Sequence, residues 1–172
     1  GGGGGGGGGG AFDLRVRDLS TLLPSVAGHG LGGAKGGDMS YSGLHTWGSA
    51  VALAQLVVRD PTMVAGKNVI ELGAGTGLPS LAASRYATRV TASDRSEELL
   101  ANVRHNASLN EGSLMGGLGR LGTRVLLWEE ADGCPPEAYQ VVLGAELMHE
   151  VPTMQALART VVHLLRGGGA FY

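Results

Sequence analysis

The amino-acid sequence predicts an α/β fold, in which helices cover both faces of a doubly wound parallel sheet. Valine- and leucine-rich runs alternate with longer helical patterns, a glycine-rich turn follows the first run, and an acid ends the second. Continuous apolar runs are typical of buried parallel strands, and their alternation with helices indicates a parallel sheet. Beyond the leading glycines roughly 160 residues remain, enough for one domain with its own core.

The elements follow in a regular order. The predicted strands are short and apolar: 68–71, 89–92, 123–128, 139–145 and a fifth that begins at 170. The predicted helices lie before and between them: 49–58, a short one from 79, 96–109 and 152–166. Acidic Glu97 and Glu98 in a first turn suit the helix dipole, while Pro152 and Gly167 bracket the last helix.

The segment 69–78 reads Val-Ile-Glu-Leu-Gly-Ala-Gly-Thr-Gly-Leu. Its glycines, from Gly73 to Gly77, would let a ligand approach bare backbone between a strand and a helix. A dinucleotide fingerprint needs its third glycine at the sixth position, where this chain has Leu78. Glu71 suits a cation better than a pyrophosphate. The motif therefore favours S-adenosylmethionine, a sulfonium with an amino-acid tail, over NAD.

Asp94 is the acid that ends the second strand. It lies 94 − 73 = 21 residues after Gly73, close to the ~20 expected of an acid that binds ribose hydroxyls. The alternative is that Asp94 caps the next helix, with Glu97 completing an arrangement like a capping box. The two roles are compatible in part.

Composition argues against several classes of protein. A net charge of −2 without a dense basic patch argues against a nucleic-acid partner. No apolar run reaches the ~18 residues of a membrane helix, and no signal peptide is evident, so no membrane partner is expected. Cys134 is the only cysteine, which precludes an internal disulfide and is read as incidental. These features predict a soluble protein of the cytoplasm or nucleus, of undetermined oligomeric state.

The chain divides into three parts. Residues 1–10 are a low-complexity polyglycine segment, and residues 11–41 form an N-terminal extension with a glycine-rich loop at 28–37. Residues 42–172 form the predicted cofactor-binding domain. A further glycine-rich stretch, 112–122, is predicted to be a loop insertion.

Several motifs occur in the order of one family. They are Leu-His-Thr-Trp-Gly-Ser-Ala at 44–50, the glycine turn, Asp94, Trp128 and Leu-Gly-Ala-Glu at 143–146. On these residues the chain from 42 to 172 resembles the eukaryotic methyltransferase-like family 16, whose characterised members mostly methylate lysines on other proteins. The resemblance implies a Rossmann-like, seven-stranded methyltransferase sheet, here truncated after strand five and so C-terminally incomplete.

The resemblance also implies a set of S-adenosylmethionine contacts: Trp47, Gly73, Ala74, Gly75, Asp94, Trp128 and Ala145. The two tryptophans offer aromatic faces for an adenine or a sulfonium, although each is also compatible with core packing. Ala145 ends strand four, where ligands of open α/β sheets gather, and its small side chain leaves room for a cofactor.

The predicted catalytic residues follow strand four. The family usually carries Asp-x-x-Tyr there, and this chain has Glu146-Leu147-Met148-His149. Glu146 is predicted to orient the incoming ammonium, and His149 to accept a hydrogen bond or a proton. The alternative is that Glu146 caps the following segment and His149 is a solvated loop residue. The remaining histidines lack metal-ligand spacing, so no metal is expected.

The predicted function is S-adenosylmethionine-dependent methylation of lysine side chains on a protein substrate. Two alternatives remain open, a catalytically impaired cofactor-binding interaction module and a small-molecule methyltransferase.

Overall fold

The structure of the protein, a computed structural model, describes residues 14–16, 43–112, 120–148 and 151–172. Within them the helices are α1 Gly48–Arg59, α2 Leu78–Ser84, α3 Glu97–Leu109 and α4 Val151–Leu164. The strands are β1 Asn68–Leu72, β2 Arg89–Asp94, β3 Leu121–Val125, β4 Tyr139–Gly144 and β5 Leu165–Phe171. The leading glycines, the loop at 28–37 and His149 lie outside the described residues. No helix in the described part has the length and apolar character needed to cross a bilayer.

All described strand pairs are parallel, in the order β3-β2-β1-β4-β5. The chain builds outward from β1 through β2 to β3, then returns to place β4 on the other side of β1. Leu72, near the carboxyl end of β1, is level with Ser93 on one side and Gly144 on the other. The change of direction between β1 and β4 is a topological switch point, where open α/β sheets bind their ligands. The predicted fold class is confirmed.

The strands alternate their side chains between two packed layers. On one face Val69, Val90 and Val141 pack in a cluster with residues of α1 and α2. On the other face Ile70 and Val142 pack in a cluster with residues of α4 and of a 3₁₀-helix at Trp128–Gly133. Because the central strands are buried on both faces, they lack the polar alternation of a one-sided sheet.

Part of the N-terminal extension belongs to this packed fold. Leu14 and Val16 pack against the first core cluster. Between them, the backbone of Arg15 donates to Asn110 Oδ1 at 2.7 Å and accepts from Asn110 Nδ2 at 2.5 Å. A short segment is thus held by a side chain at the end of α3.

Two predicted strands differ from the structure. β3 begins at Leu121, inside the stretch assigned to a loop insertion, and ends at Val125. Trp128 therefore begins a 3₁₀-helix instead of ending a strand. β5 begins at Leu165, directly after α4, and its register shifts between the pairs made by Tyr139 and Val141. Glycine has a low strand propensity, so the glycines near the start of both strands gave no strand signal in the sequence.

Candidate functional site

A cavity of about 450 Å³ opens at the carboxyl edge of the sheet, beside the switch point. This volume falls within the range of small-molecule and cofactor sites. Every predicted site residue that the structure describes lines it: Trp47, Glu71, Gly73, Ala74, Gly75, Asp94, Trp128, Ala145 and Glu146. These residues, spread over a hundred positions of the sequence, therefore come together at one cavity.

The turn between β1 and α2 needs its glycines for backbone conformation and for close packing. Gly73, Gly75 and Gly77 all have positive φ, at 61°, 52° and 79°. A Cβ at Gly77 would lie 2.8 Å from Val103 Cγ1 on α3. Gly77 is therefore required by helix packing as well as by its φ.

Gly75 approaches the chain's own backbone. A Cβ there would lie 3.0 Å from the carbonyl oxygen of Gly43. Its N–H donates to Asp94 Oδ2 at 2.8 Å, so this amide is already engaged inside the protein. The sequence predicted that the backbone of this turn faces a ligand. At Gly75 the backbone also makes contacts inside the protein, so that prediction describes only part of its role.

Asp94 is buried, and its two carboxylate oxygens are anchored separately. Oδ2 accepts from Gly75 N, and Oδ1 accepts from Arg95 N at 2.7 Å. Burial raises the pKa of Asp94, while the two backbone donors and the Arg95 charge act in the opposite direction. A carboxylate has about four lone-pair positions, so both oxygens keep capacity to accept from a pair of hydroxyls.

The capping interpretation of Asp94 is wrong. The residue that caps α3 is Ser96, whose hydroxyl accepts from Leu99 N at 3.3 Å. Glu97 stands at the first position of α3 and pairs with Arg104, so it completes no capping box with Asp94.

Glu71 combines a place in the cavity lining with a structural role. Its Oε2 accepts from Ser80 N at 2.9 Å and from Ser80 Oγ at 2.5 Å. These bonds stabilise the amino end of α2, because the residue that precedes it, Gly77, offers no side-chain cap. Burial raises the pKa of Glu71 to about 8, with Ser80 lowering it and Asp94 raising it further. Ser80 lies nine residues away, so no local capping motif could reveal this contact.

Trp47 and Trp128 reach the cavity from different elements. Trp47 immediately precedes α1, and its ring meets that of His45 edge-on, with centroids 5.0 Å apart. The carbonyl of Trp128 accepts from Thr160 Oγ1 of α4 at 2.9 Å, and its indole packs against the second core cluster. Trp128 therefore serves core packing and the cavity wall together.

Glu146 follows β4 with its backbone in the left-handed region, at φ 57°. Ser49 Oγ, in the first turn of α1, donates to Glu146 Oε2 at 2.7 Å. This bond joins Glu146 to the start of α1, while the capping alternative concerns the segment from 149, which begins outside the described residues. This contact spans 97 positions and left no signal in the sequence.

Leu147 fills the space between the ends of β1 and β4. A Cβ at Gly73 would lie 2.7 Å from Leu147 Cδ2, and one at Gly144 would lie 2.5 Å from Leu147 Cδ1. Leu147 also lines the cavity. Sequence reasoning missed this role, because a leucine in an apolar run carries no distinguishing mark.

The lining is acidic overall. Asp94, Glu129 and Glu146 line the cavity together with Arg95 and His45, while Glu71 keeps its proton below its pKa of about 8. Such a balance favours a ligand or an acceptor that carries positive charge. Over the part of the chain that the structure describes, no group of three His, Cys, Asp or Glu residues is arranged to hold a metal ion.

The sheet is parallel, a glycine turn follows β1, an acid ends β2, and a cavity lies at the switch point. Together these features define an α/β fold that binds a nucleoside-type cofactor. Among solved structures, the chain is similar to DhpI in its complex with SAH. The identity is 25% and the TM-score 0.54, over 72% of this chain and 54% of that one.

The family follows from sequence comparison. The model of the lysine methyltransferase family matches residues 35–172, and the chain belongs to this family. It is 35% identical over 125 residues to protein N-lysine methyltransferase METTL21A of Danio rerio, covering 70% of this chain and 55% of that protein. It is 31% identical over 135 residues to protein-lysine N-methyltransferase EFM3 of Chaetomium thermophilum, covering 72% and 39%. The chain thus spans about half or less of the length of these relatives. The resemblance drawn from the motifs is confirmed.

Proposed function

We propose that this chain is the cofactor-binding part of an S-adenosylmethionine-dependent methyltransferase that acts on lysine side chains of a protein substrate. The observation that carries the proposal is the convergence of the glycine turn, Asp94, both tryptophans and Glu146 on one acidic cavity at the switch point. Family membership and the names of the relatives support lysine as the acceptor.

The residues present fit S-adenosylmethionine. When bound, this cofactor supplies a methyl group activated by a sulfonium. Asp94 would accept from ribose hydroxyls, since its carboxylate is already oriented by Gly75 and Arg95. Trp47 and Trp128 would contribute aromatic faces, which attract a cation by ~0.5–2 kcal/mol.

The acceptor amine must lose its proton before it attacks the methyl group, because an ammonium has no lone pair. Glu146 is exposed at the cavity and carries the charge that would draw in and orient a lysine ammonium. His149, which lies outside the described residues, is the proposed proton acceptor. Positioning of this kind supplies much of the acceleration of a bimolecular transfer.

Cofactor choice is tested by calorimetric titration with S-adenosylmethionine and with NAD. We expect saturable binding of the first and none of the second. Preference for NAD would overturn the proposal.

Acceptor choice is tested by incubating the protein with methyl-labelled cofactor and a lysate from its source. A labelled protein band, with the label recovered on lysine, is expected. Label in a small molecule would favour the small-molecule alternative. Cofactor binding without any transfer would favour the interaction module.

The compartment is a further proposal, the cytoplasm or the nucleus. It rests on the single cysteine, and imaging of a fluorescent fusion protein in its source cells would test it.

A further inference from the structure

Ser49 and Glu146 meet at the mouth of the cavity, although they belong to different elements. Ser49 is the second residue of α1, between the lining residues Trp47 and Ala50. Its hydroxyl donates to one oxygen of the Glu146 carboxylate at 2.7 Å. Among the described residues this is the hydrogen bond that the carboxylate makes, so its second oxygen keeps its capacity for another donor.

The surroundings favour a carboxylate in this place. The first turn of α1 holds no acidic residue, and the residue before it, Trp47, gives no side-chain cap. A helix amino end carries partial positive charge, so a carboxylate brought there from β4 is stabilised by the dipole.

The backbone of Glu146 indicates that the arrangement is specific. Its φ of 57° lies in the left-handed region, which is uncommon and strained for a residue with a Cβ. The left-handed conformation and the Ser49 bond together fix where the carboxylate stands.

We propose that Ser49 is a positioning residue that holds Glu146 in the orientation required to receive the acceptor ammonium. This inference rests on the proposed function and adds to it the residue that orients the acidic group. Ser49 itself touches neither the methyl donor nor the acceptor in this account, and acts through the carboxylate alone.

The test compares Ser49→Ala and Ser49→Thr in the full chain, by the rate of methyl transfer to the acceptor protein and by S-adenosylmethionine titration. Loss of a hydrogen bond to a charged group predicts a kcat/KM for the acceptor about tenfold lower in Ser49→Ala. The dissociation constant of the cofactor should stay within about twofold, and Ser49→Thr should retain activity because it keeps the hydroxyl. Ser108→Ala is the matched control, an exposed helical serine whose hydroxyl donates to the carbonyl of His105.

A double-mutant cycle separates positioning from a general structural effect. In the background of Glu146→Ala, Ser49→Ala should cause no further loss, because the group it orients is absent. An equal loss in both backgrounds, or unchanged kcat/KM in Ser49→Ala, would overturn the inference while leaving the proposed function intact. Absence of methyl transfer in the unmodified chain would instead remove the proposed function, and this inference with it.

Discussion

The carboxylate of Asp94 accepts a hydrogen bond from the N–H of Gly75 at 2.8 Å, which ties the end of β2 to the turn after β1. The contact links the two motifs that the sequence marked separately as cofactor-binding. It makes the position of the acid and the shape of the glycine turn mutually dependent.

Replacing Asp94 with asparagine should weaken S-adenosylmethionine binding by ~1–3 kcal/mol, because charge-assisted bonds to the cofactor are lost. Calorimetry measures the change. Asp132→Asn, an exposed acid outside the cavity lining, is the control and should bind as the unmodified chain does. Equal affinity of the two variants would show that Asp94 only organises the turn.

Stability should fall as pH rises, on account of Glu71. Its folded pKa of about 8 lies above the ordinary value of 4.5, so the folded protein holds a proton that the unfolded chain releases. Its contribution is complete below about pH 4.5 and is lost as pH rises through about 8. Between these limits the free energy of unfolding should decrease by up to ~1.4 kcal/mol per pH unit.

Urea denaturation from pH 5 to 8 measures this slope. Glu71→Gln keeps an acceptor for Ser80 but cannot ionise, and should flatten the slope. The pKa of Asp94 is also raised by burial, so any slope that this residue contributes has the same sign. Glu111→Gln, an exposed control, should leave the slope unchanged. Identical slopes in all three proteins would contradict the assignment.

Gly77→Ala should destabilise the fold more than Gly66→Ala. Both glycines have positive φ, but a Cβ at Gly66 meets nothing within 4 Å, whereas one at Gly77 would lie 2.8 Å from Val103 Cγ1. We expect about 1 kcal/mol at Gly66 from conformation, and ~1–3 kcal/mol more at Gly77 from crowding. Urea denaturation gives both values. If the two variants lost the same free energy of unfolding, α3 would have shifted to accommodate the new Cβ at Gly77 at no energetic cost.

Intrinsic fluorescence should report cofactor binding from both tryptophans. Trp47 and Trp128 are the only two in the chain, and both line the cavity. Trp47→Phe and Trp128→Phe each leave one reporter, and the emission of each variant should change saturably with added S-adenosylmethionine. A variant that binds by calorimetry but whose emission stays constant would place its remaining tryptophan away from the ligand.

The sequence was sufficient for the fold class and for three of the strands, and the predicted site residues that the structure describes line one cavity. Strands β1, β2 and β4 carry β-branched residues and are buried on both faces, so their runs were distinct. The strands misplaced were β3 and β5, which begin beside glycines such as Gly122 and Gly167, where propensity gives no strand signal.

The contacts that organise the site were beyond sequence reasoning. The bonds Ser80–Glu71 and Ser49–Glu146 join residues that no helical or strand period relates. They depend on how elements pack in three dimensions, which is decided by the whole core. Local patterns predict which residues share an edge of the sheet, and they leave open which side chains meet there.

Leu147, which fills the space between the ends of β1 and β4, makes the size of the cavity adjustable by one substitution. The two methyl groups of Leu147 occupy the positions where side chains at Gly73 and Gly144 would begin. At this point the cavity is therefore bounded by the Leu147 side chain, which a substitution can shorten. Replacing Leu147 with alanine should enlarge the cavity at the switch point, at the stability cost of truncating a buried leucine. Leu147→Ala should therefore accept a cofactor analogue that is enlarged at this point better than the unmodified protein does.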